Sequence, residues 1–154
     1  QVRPRRIEPD MLALESYETY APQAKAKGLN MNLEIPQEVP AILADPDRVR
    51  QALSVLLDNA ISCTPPPGHI TLGVRSQGRK LRFTVADTGP GVPDSEKERI
   101  FRRFYRGEKA RSDKSHFGLG LSIAAEIAAK HGGDLWVEDN PTGGAVFVLE
   151  LPLR

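Results

Sequence analysis

Four short groups of residues carry the chemical possibilities of this sequence. Asp87-Thr88-Gly89-Pro90-Gly91-Val92 sets a carboxylate ahead of two glycines. A carboxylate only accepts hydrogen bonds, so at a strand end it matches the exocyclic amine of adenine, whereas guanine would bring a carbonyl against it. Gly89 and Gly91 remove side chains where a planar base must approach the backbone. The same pattern also describes a plain turn. Asn59, within Leu56-Leu57-Asp58-Asn59-Ala60, offers a neutral carbonyl oxygen, a suitable ligand for Mg²⁺ that already holds nucleotide phosphates. Alone it reads equally as a helix-surface Asn. Ile100-Phe101-Arg102-Arg103-Phe104-Tyr105-Arg106, followed by Lys109, Arg111 and Lys114, combines aromatics that dock a loop with cations that swing over it. That suits a lid on a polyphosphate. A solvated basic loop is the plainer reading, and nucleic-acid binding ranks low because the basic excess is confined to this stretch. Gly118-Leu119-Gly120-Leu121 opens an apolar helix. Its free backbone N–H groups and positive dipole end favour phosphate, although glycines also serve close helix–sheet packing.

These groups must be positioned by regular elements. Residues 9–27 recur at helical spacing through Leu12, Leu14, Tyr17, Tyr20 and Ala24, and Gly28 closes the run. Residues 30–35 and 39–44 read as strands. Asp45-Pro46-Asp47 supplies a cap and a first-turn proline for a second helix. Its apolar face is Val49, Ala52, Leu53, Leu56, Leu57, Ala60 and Ile61, and the prolines from Pro65 end it. On this helix Arg48, Val55, Asn59 and Ser62 share a stripe. Ile70, Leu72 and Val74, then Leu81, Phe83 and Val85, alternate around a turn at Gln77-Gly78. Residues 94–100 suggest a short helix, and residues 101–117 a long loop, with 105–117 expected to be mobile. A helix over 118–131 and strands over 135–138 and 145–151, joined by a turn at 140–144, complete the chain. The pattern predicts an α/β two-layer sandwich: a mixed five-stranded sheet with about three helices on one face.

The chain has 154 residues, 40% hydrophobic and 27% charged, with a net charge of +1. That is the size and make-up of one globular domain, and no global field draws it to nucleic acid or membrane. Cys63 is the only cysteine, which excludes an internal disulfide and suits a reducing compartment. No apolar run approaches a membrane span of about 20 residues. Residues 1–8 are basic and without apolar period, and read as a residual linker ahead of a domain at 9–154.

Together the four groups resemble the catalytic ATP-binding domain of bacterial sensor histidine kinases, in the superfamily shared with gyrase and the large heat-shock chaperones. VRQALSVLLDNAISCTP is similar to the N box, DTGPGV to the first glycine box, IFRRFYRG to the F box and GLGLSIA to the second glycine box; GGAVFVLELP looks like the closing strand. The resemblance covers nearly the whole chain. It implies a Bergerat-type ATP-binding fold with ATP and Mg²⁺ as cofactors. Asn59 would coordinate the metal and Asp87 would hold adenine. Ser62, Cys63, Gly89, Gly91, Val92, Phe101 and Phe104 would line or cover the nucleotide. Gly118, Leu119, Gly120 and Leu121 would receive the phosphates, and Arg106 would contact the γ-phosphate. It implies transfer of that phosphoryl group to a histidine on a separate dimerisation domain, a response regulator as further partner, and a cytoplasmic location under a membrane-anchored sensor. His69, His116 and His131 lack the helical H-E-x-x-x-P setting of the family's phosphoacceptor and read as structural or exposed.

The sequence departs from the family in places. Val55 replaces a second Asn, Ser62 and Cys63 replace a lysine and a tyrosine, and Ser115-His116-Phe117 replaces a Gly-Gly-Thr type of lid end. Each change removes a phosphate contact or stiffens a hinge, for which Arg48 or the lid cations are candidate compensators. Three alternatives follow: a pseudokinase that regulates a partner by contact, a gyrase-type ATPase, and an anti-sigma serine kinase. The second is disfavoured because Val55 stands where its glutamate base would be, and the third by the F box.

Overall fold

The computed structural model describes residues 1–103 and 120–154. Its central layer is a five-stranded sheet in the order β2-β4-β5-β7-β6. The strands are β2 (Leu29–Glu34), β4 (Gly68–Gln77), β5 (Lys80–Asp87), β6 (Asp134–Asp139) and β7 (Ala145–Pro152). β2 runs parallel to β4 and the other neighbours are antiparallel, so the sheet is mixed, as expected. Alternation decides its faces. Ile70, Leu72, Leu81, Phe83, Val85, Phe147 and Leu149 turn to one side and are buried. That side carries α1 (Pro9–Ala26) on β2 and β4, α2 (Pro46–Cys63) on β5, and α3 (Gly120–Lys130) on β6 and β7 and against α2. The other side presents polar groups, among them an Arg82–Glu150 ion pair at 2.7 Å with the guanidinium over Trp136.

Asp45 caps α2, its Oδ1 accepting the N–H of Asp47 at 3.1 Å and of Arg48 at 3.3 Å. The hairpin turn lies one residue later than expected, at Gly78-Arg79, since Gln77 pairs with Lys80. Gly78 takes φ +62° there, a backbone that favours glycine. In place of one short helix after Pro93 there are two 3₁₀ turns, Asp94–Glu96 and Arg99–Phe101. A segment this short does not sustain α-helical nucleation.

The chain start differs most from expectation. Residues 5–7, read as part of a linker, form β1 (Arg5–Ile7), which pairs antiparallel with β3 (Ile42–Ala44) as a separate two-stranded sheet. Ile7 is buried beside Ile42 in the common core, and the N–H of Arg3 donates to Asp45 Oδ2 at 2.9 Å. A single apolar residue among arginines gives no period to read, so only the pairing reveals the strand.

Candidate functional site

Asp87 is the last residue of β5 and continues the alternation of Leu81, Phe83 and Val85, so its side chain enters the helix layer. It is buried. Oδ1 accepts two backbone N–H groups, from Gly89 at 2.9 Å and from Ala145 at 3.2 Å. Oδ2 has no partner among the described residues and is left as an acceptor. Burial pushes the carboxyl above its usual value, against the pull of the Gly89 and Ala145 N–H groups. A ligand that donates to Oδ2 therefore meets an acceptor whose orientation is already fixed.

The neighbouring glycines are shaped by close approach. A Cβ on Gly89 would lie 2.9 Å from the carbonyl oxygen of Cys63, and one on Gly91 3.2 Å from that of Gly144. The first contact seats the Asp87 loop on the C-terminal end of α2. Val92 is half-buried against the core and its carbonyl accepts Lys97 Nζ at 3.0 Å.

α2 carries the second candidate. Asn59 is 4% exposed at the edge of the apolar face, and the Cys63 thiol donates to its Oδ1 at 3.8 Å. Val55, one turn earlier, lies beside the start of α3: a Cβ on Gly120 would be 3.4 Å from Val55 Cγ1. The α3 N-terminus and the Asp87 loop thus meet α2 at Val55 and Cys63, about 12 Å apart along its axis at 1.5 Å per residue. That separation suits a nucleotide lying with its base at one end and its phosphates at the other. Among the described residues no three His, Cys, Asp or Glu side chains group to hold a metal. Asn59 offers a single neutral amide oxygen, the kind of ligand a hard cation takes alongside phosphate and water oxygens.

The remaining candidates divide. Phe101 packs edge-on to Phe147, with centroids 6.0 Å apart, so the first F-box aromatic is anchored in the core. Leu121 is fully buried and offers a ligand only its backbone. Ser62 and Cys63 are partly exposed on the last turn of α2. Phe104, Arg106, Gly118 and Leu119, with the expected mobility of 105–117, lie outside the described residues. Arg48 is exposed and bonds Gln51 at 3.3 Å. Along α2 it lies seven residues, about 10 Å, from Val55 and eleven, about 16 Å, from Asn59. His69 is exposed. His131 is buried, its Nδ1 2.8 Å from the Ile127 carbonyl and its Nε2 accepting the Asp45 N–H at 3.0 Å; it is structural, as expected.

Two contributors had no local signal. Lys27 Nζ, from the end of α1, donates to the carbonyls of Ile61 at 2.6 Å and Ser62 at 3.1 Å, closing the C-terminus of α2 beneath the site. Asn140 Nδ2 donates to the Asp87 carbonyl at 2.8 Å. Both contacts join residues more than 30 positions apart, beyond the reach of any motif.

Comparison with known proteins agrees with this geometry. Residues 44–154 match the family model described as "Histidine kinase-, DNA gyrase B-, and HSP90-like ATPase". The chain is 40% identical over 151 residues to the adaptive-response sensory kinase SasA of a Nostoc species, a match covering 97% of this chain and 37% of that protein. The chain thus spans under half the length of this curated relative. The catalytic domain of histidine kinase ThkA superposes with a TM-score of 0.85 at 30% identity, covering 97% of both chains. ThkA has also been solved in complex with the response regulator protein TrrA, a structure matched at TM-score 0.83 and 28% identity over 99% of this chain and 42% of that one. Full-length ShkA in complex with AMPPNP matches at TM-score 0.86 and 33% identity, over 99% of this chain and 31% of that one.

Proposed function

Because the chain belongs to the histidine kinase-, DNA gyrase B- and HSP90-like ATPase family, as a histidine kinase catalytic domain, we propose that it binds Mg²⁺-ATP along α2 and offers the γ-phosphoryl group to a histidine on a separate dimerisation domain. The observation that carries this is Asp87: a buried carboxylate with one oxygen held by two N–H groups and the other left to accept from adenine. Gly89 and Gly91 let the loop pack against Cys63 and Gly144, which holds Asp87 in place for the base. The amides at the start of α3, with Gly118, Leu119 and Gly120, receive phosphates. Asn59 Oδ1 would hold Mg²⁺, which offsets phosphate charge when bound. Arg106 contacts the γ-phosphate, and Phe101 tethers the segment that bears it.

In the transfer the bond from the γ-phosphorus to the ADP oxygen breaks, a bond to a histidine nitrogen forms, and the imidazole proton leaves. The domain contributes position and charge neutralisation. A response regulator receives the phosphoryl group in turn. A cytoplasmic setting supplies ATP, and among the described residues no helix is long and apolar enough to cross a membrane.

Calorimetric titration with Mg-ATP and Mg-GTP, on the wild type and on Asp87→Asn, tests the reading. ATP is expected to bind far more tightly than GTP. The variant's Oδ1 stays with the two N–H groups, so its NH₂ faces the adenine amine. ATP affinity then falls about tenfold or more. Equal binding of GTP, or an unaffected variant, overturns the adenine site. One observation favours the pseudokinase alternative: the Val55 methyl groups stand beside Gly120, where the family offers an amide to the phosphates. Binding without phosphorylation of a supplied histidine domain would select that alternative.

A further inference from the structure

The turn between β6 and β7 brackets the Asp87 loop from its far side. Asn140 is the centre of that bracket. Its Oδ1 accepts the Thr142 N–H at 3.4 Å and the Thr142 hydroxyl at 3.1 Å, while its Nδ2 donates to the Asp87 carbonyl at 2.8 Å. The orientation of the amide is unambiguous, because the Asp87 carbonyl can only accept and the Thr142 N–H can only donate. The Asn140 N–H also closes the turn on the Gly144 carbonyl at 3.0 Å. Gly144, at φ +104°, lies so near that a Cβ there would be 2.1 Å from the Asp87 carbonyl oxygen. The next residue, Ala145, supplies one of the two N–H groups on Asp87 Oδ1. Beside it Asp139 pairs at 3.0 Å with Lys97, whose ammonium also holds Asp94 and the Val92 carbonyl. Both ends of the loop are therefore tied to this one turn.

We propose that Asn140 is a positioning residue for nucleotide selectivity: by gripping the Asp87 main chain it sets the direction in which the free Asp87 oxygen meets the base. This rests on the adenine reading of Asp87 and deepens it. Position 140 acts on Asp87 through the backbone, so its substitution changes the aim of the acceptor while leaving the acceptor in place. The two halves of its amide serve different ends. The oxygen shapes the turn and the NH₂ places Asp87.

That division makes the test. Asn140→Asp keeps an oxygen for Thr142 but turns the donor into an acceptor against the Asp87 carbonyl. Thr142→Ala weakens the turn and leaves the grip intact. Titrations with Mg-ATP and Mg-GTP are run on both variants and on Asp87→Asn, alongside hydrogen exchange of the Gly89 and Ala145 amides without nucleotide. In Asn140→Asp, ATP affinity falls about tenfold, the ATP-to-GTP ratio narrows, and both amides exchange faster. Thr142→Ala retains the wild-type ratio and exchange rates. Asn140→Ala carries the same test should the added carboxylate prevent folding. Loss of thermal stability in the Asn140 variants with selectivity and both exchange rates unchanged would overturn the proposal, leaving Asn140 a turn residue only. If Asp87→Asn leaves ATP binding intact, the adenine site itself fails, whereas the exchange rates still report whether Asn140 orders Asp87.

Discussion

Asp45 and Asp87 are both buried and both accept backbone N–H bonds, but their ionisation acts on the fold with opposite sign. For Asp45, burial raises the carboxyl's pKa, and the N–H groups of Arg3, Arg48 and Asp47 outweigh it, with Arg48's charge helping, so the net shift is downward. Its contribution is present above the unfolded-state value and is lost as pH falls through the lower folded one. For Asp87, burial wins and the shift is upward. Its ionisation therefore costs stability, a cost absent below the unfolded value and complete once pH has risen through the folded one. Asp45→Ala is expected to lose about 1–2 kcal/mol at pH 7, with the difference from wild type narrowing below pH of about 4. Asp87→Asn, by contrast, is expected to keep or raise the nucleotide-free melting temperature at pH 7 while losing ATP. Thermal denaturation of both variants at pH 7 and pH 3 checks the pair. A destabilised Asp87→Asn would mean that the charge is not the costly element.

Helix α2 is the element on which the site depends, and its C-terminal turn is secured from outside. Lys27 reaches the Ile61 and Ser62 carbonyls from α1, adding a cation where the helix dipole is negative. Lys27→Met is expected to cost about 1 kcal/mol and to speed exchange of the Thr64 amide, which bonds the Ala60 carbonyl. An unchanged Thr64 exchange rate would remove Lys27 from the site's support. The body of α2 was legible in sequence because Asp45-Pro46 marks its start and its apolar positions keep a helical period. The alternation of Leu81, Phe83 and Val85 likewise gave β5 and led to Asp87 at its end. Lys27, Asn140 and the His131–Asp45 hydrogen bond were not legible. Each joins residues 34, 53 or 86 positions apart with side chains common on any surface. β1 escaped for another reason, since three residues with one apolar side chain carry no pattern.

At the scale of the molecule, the first residues belong to the body. Residues 5–7 complete a small sheet with β3, and Arg6 and Leu43 both donate to the Arg154 carbonyl, at 3.0 and 3.1 Å. The Arg154 guanidinium in turn reaches the His131 carbonyl at 3.2 Å. Chain start, β3, the end of α3 and the last residue thus meet in one corner. Removing residues 1–7 is expected to cost about 2 kcal/mol or more, chiefly through burial of Ile7, as read by urea denaturation. An unchanged midpoint would return the segment to the status of a linker.

The dependence of Asp87 on the turn before β7 also has a meaning in time. A chain growing on the ribosome completes α1, α2, β4 and β5 well before residues 140–145 exist. Until those residues arrive, Asp87 lacks the Asn140 grip on its carbonyl and the Ala145 N–H on its carboxylate. On the proposed reading, adenine recognition by Asp87 would thus follow synthesis of the β6–β7 turn.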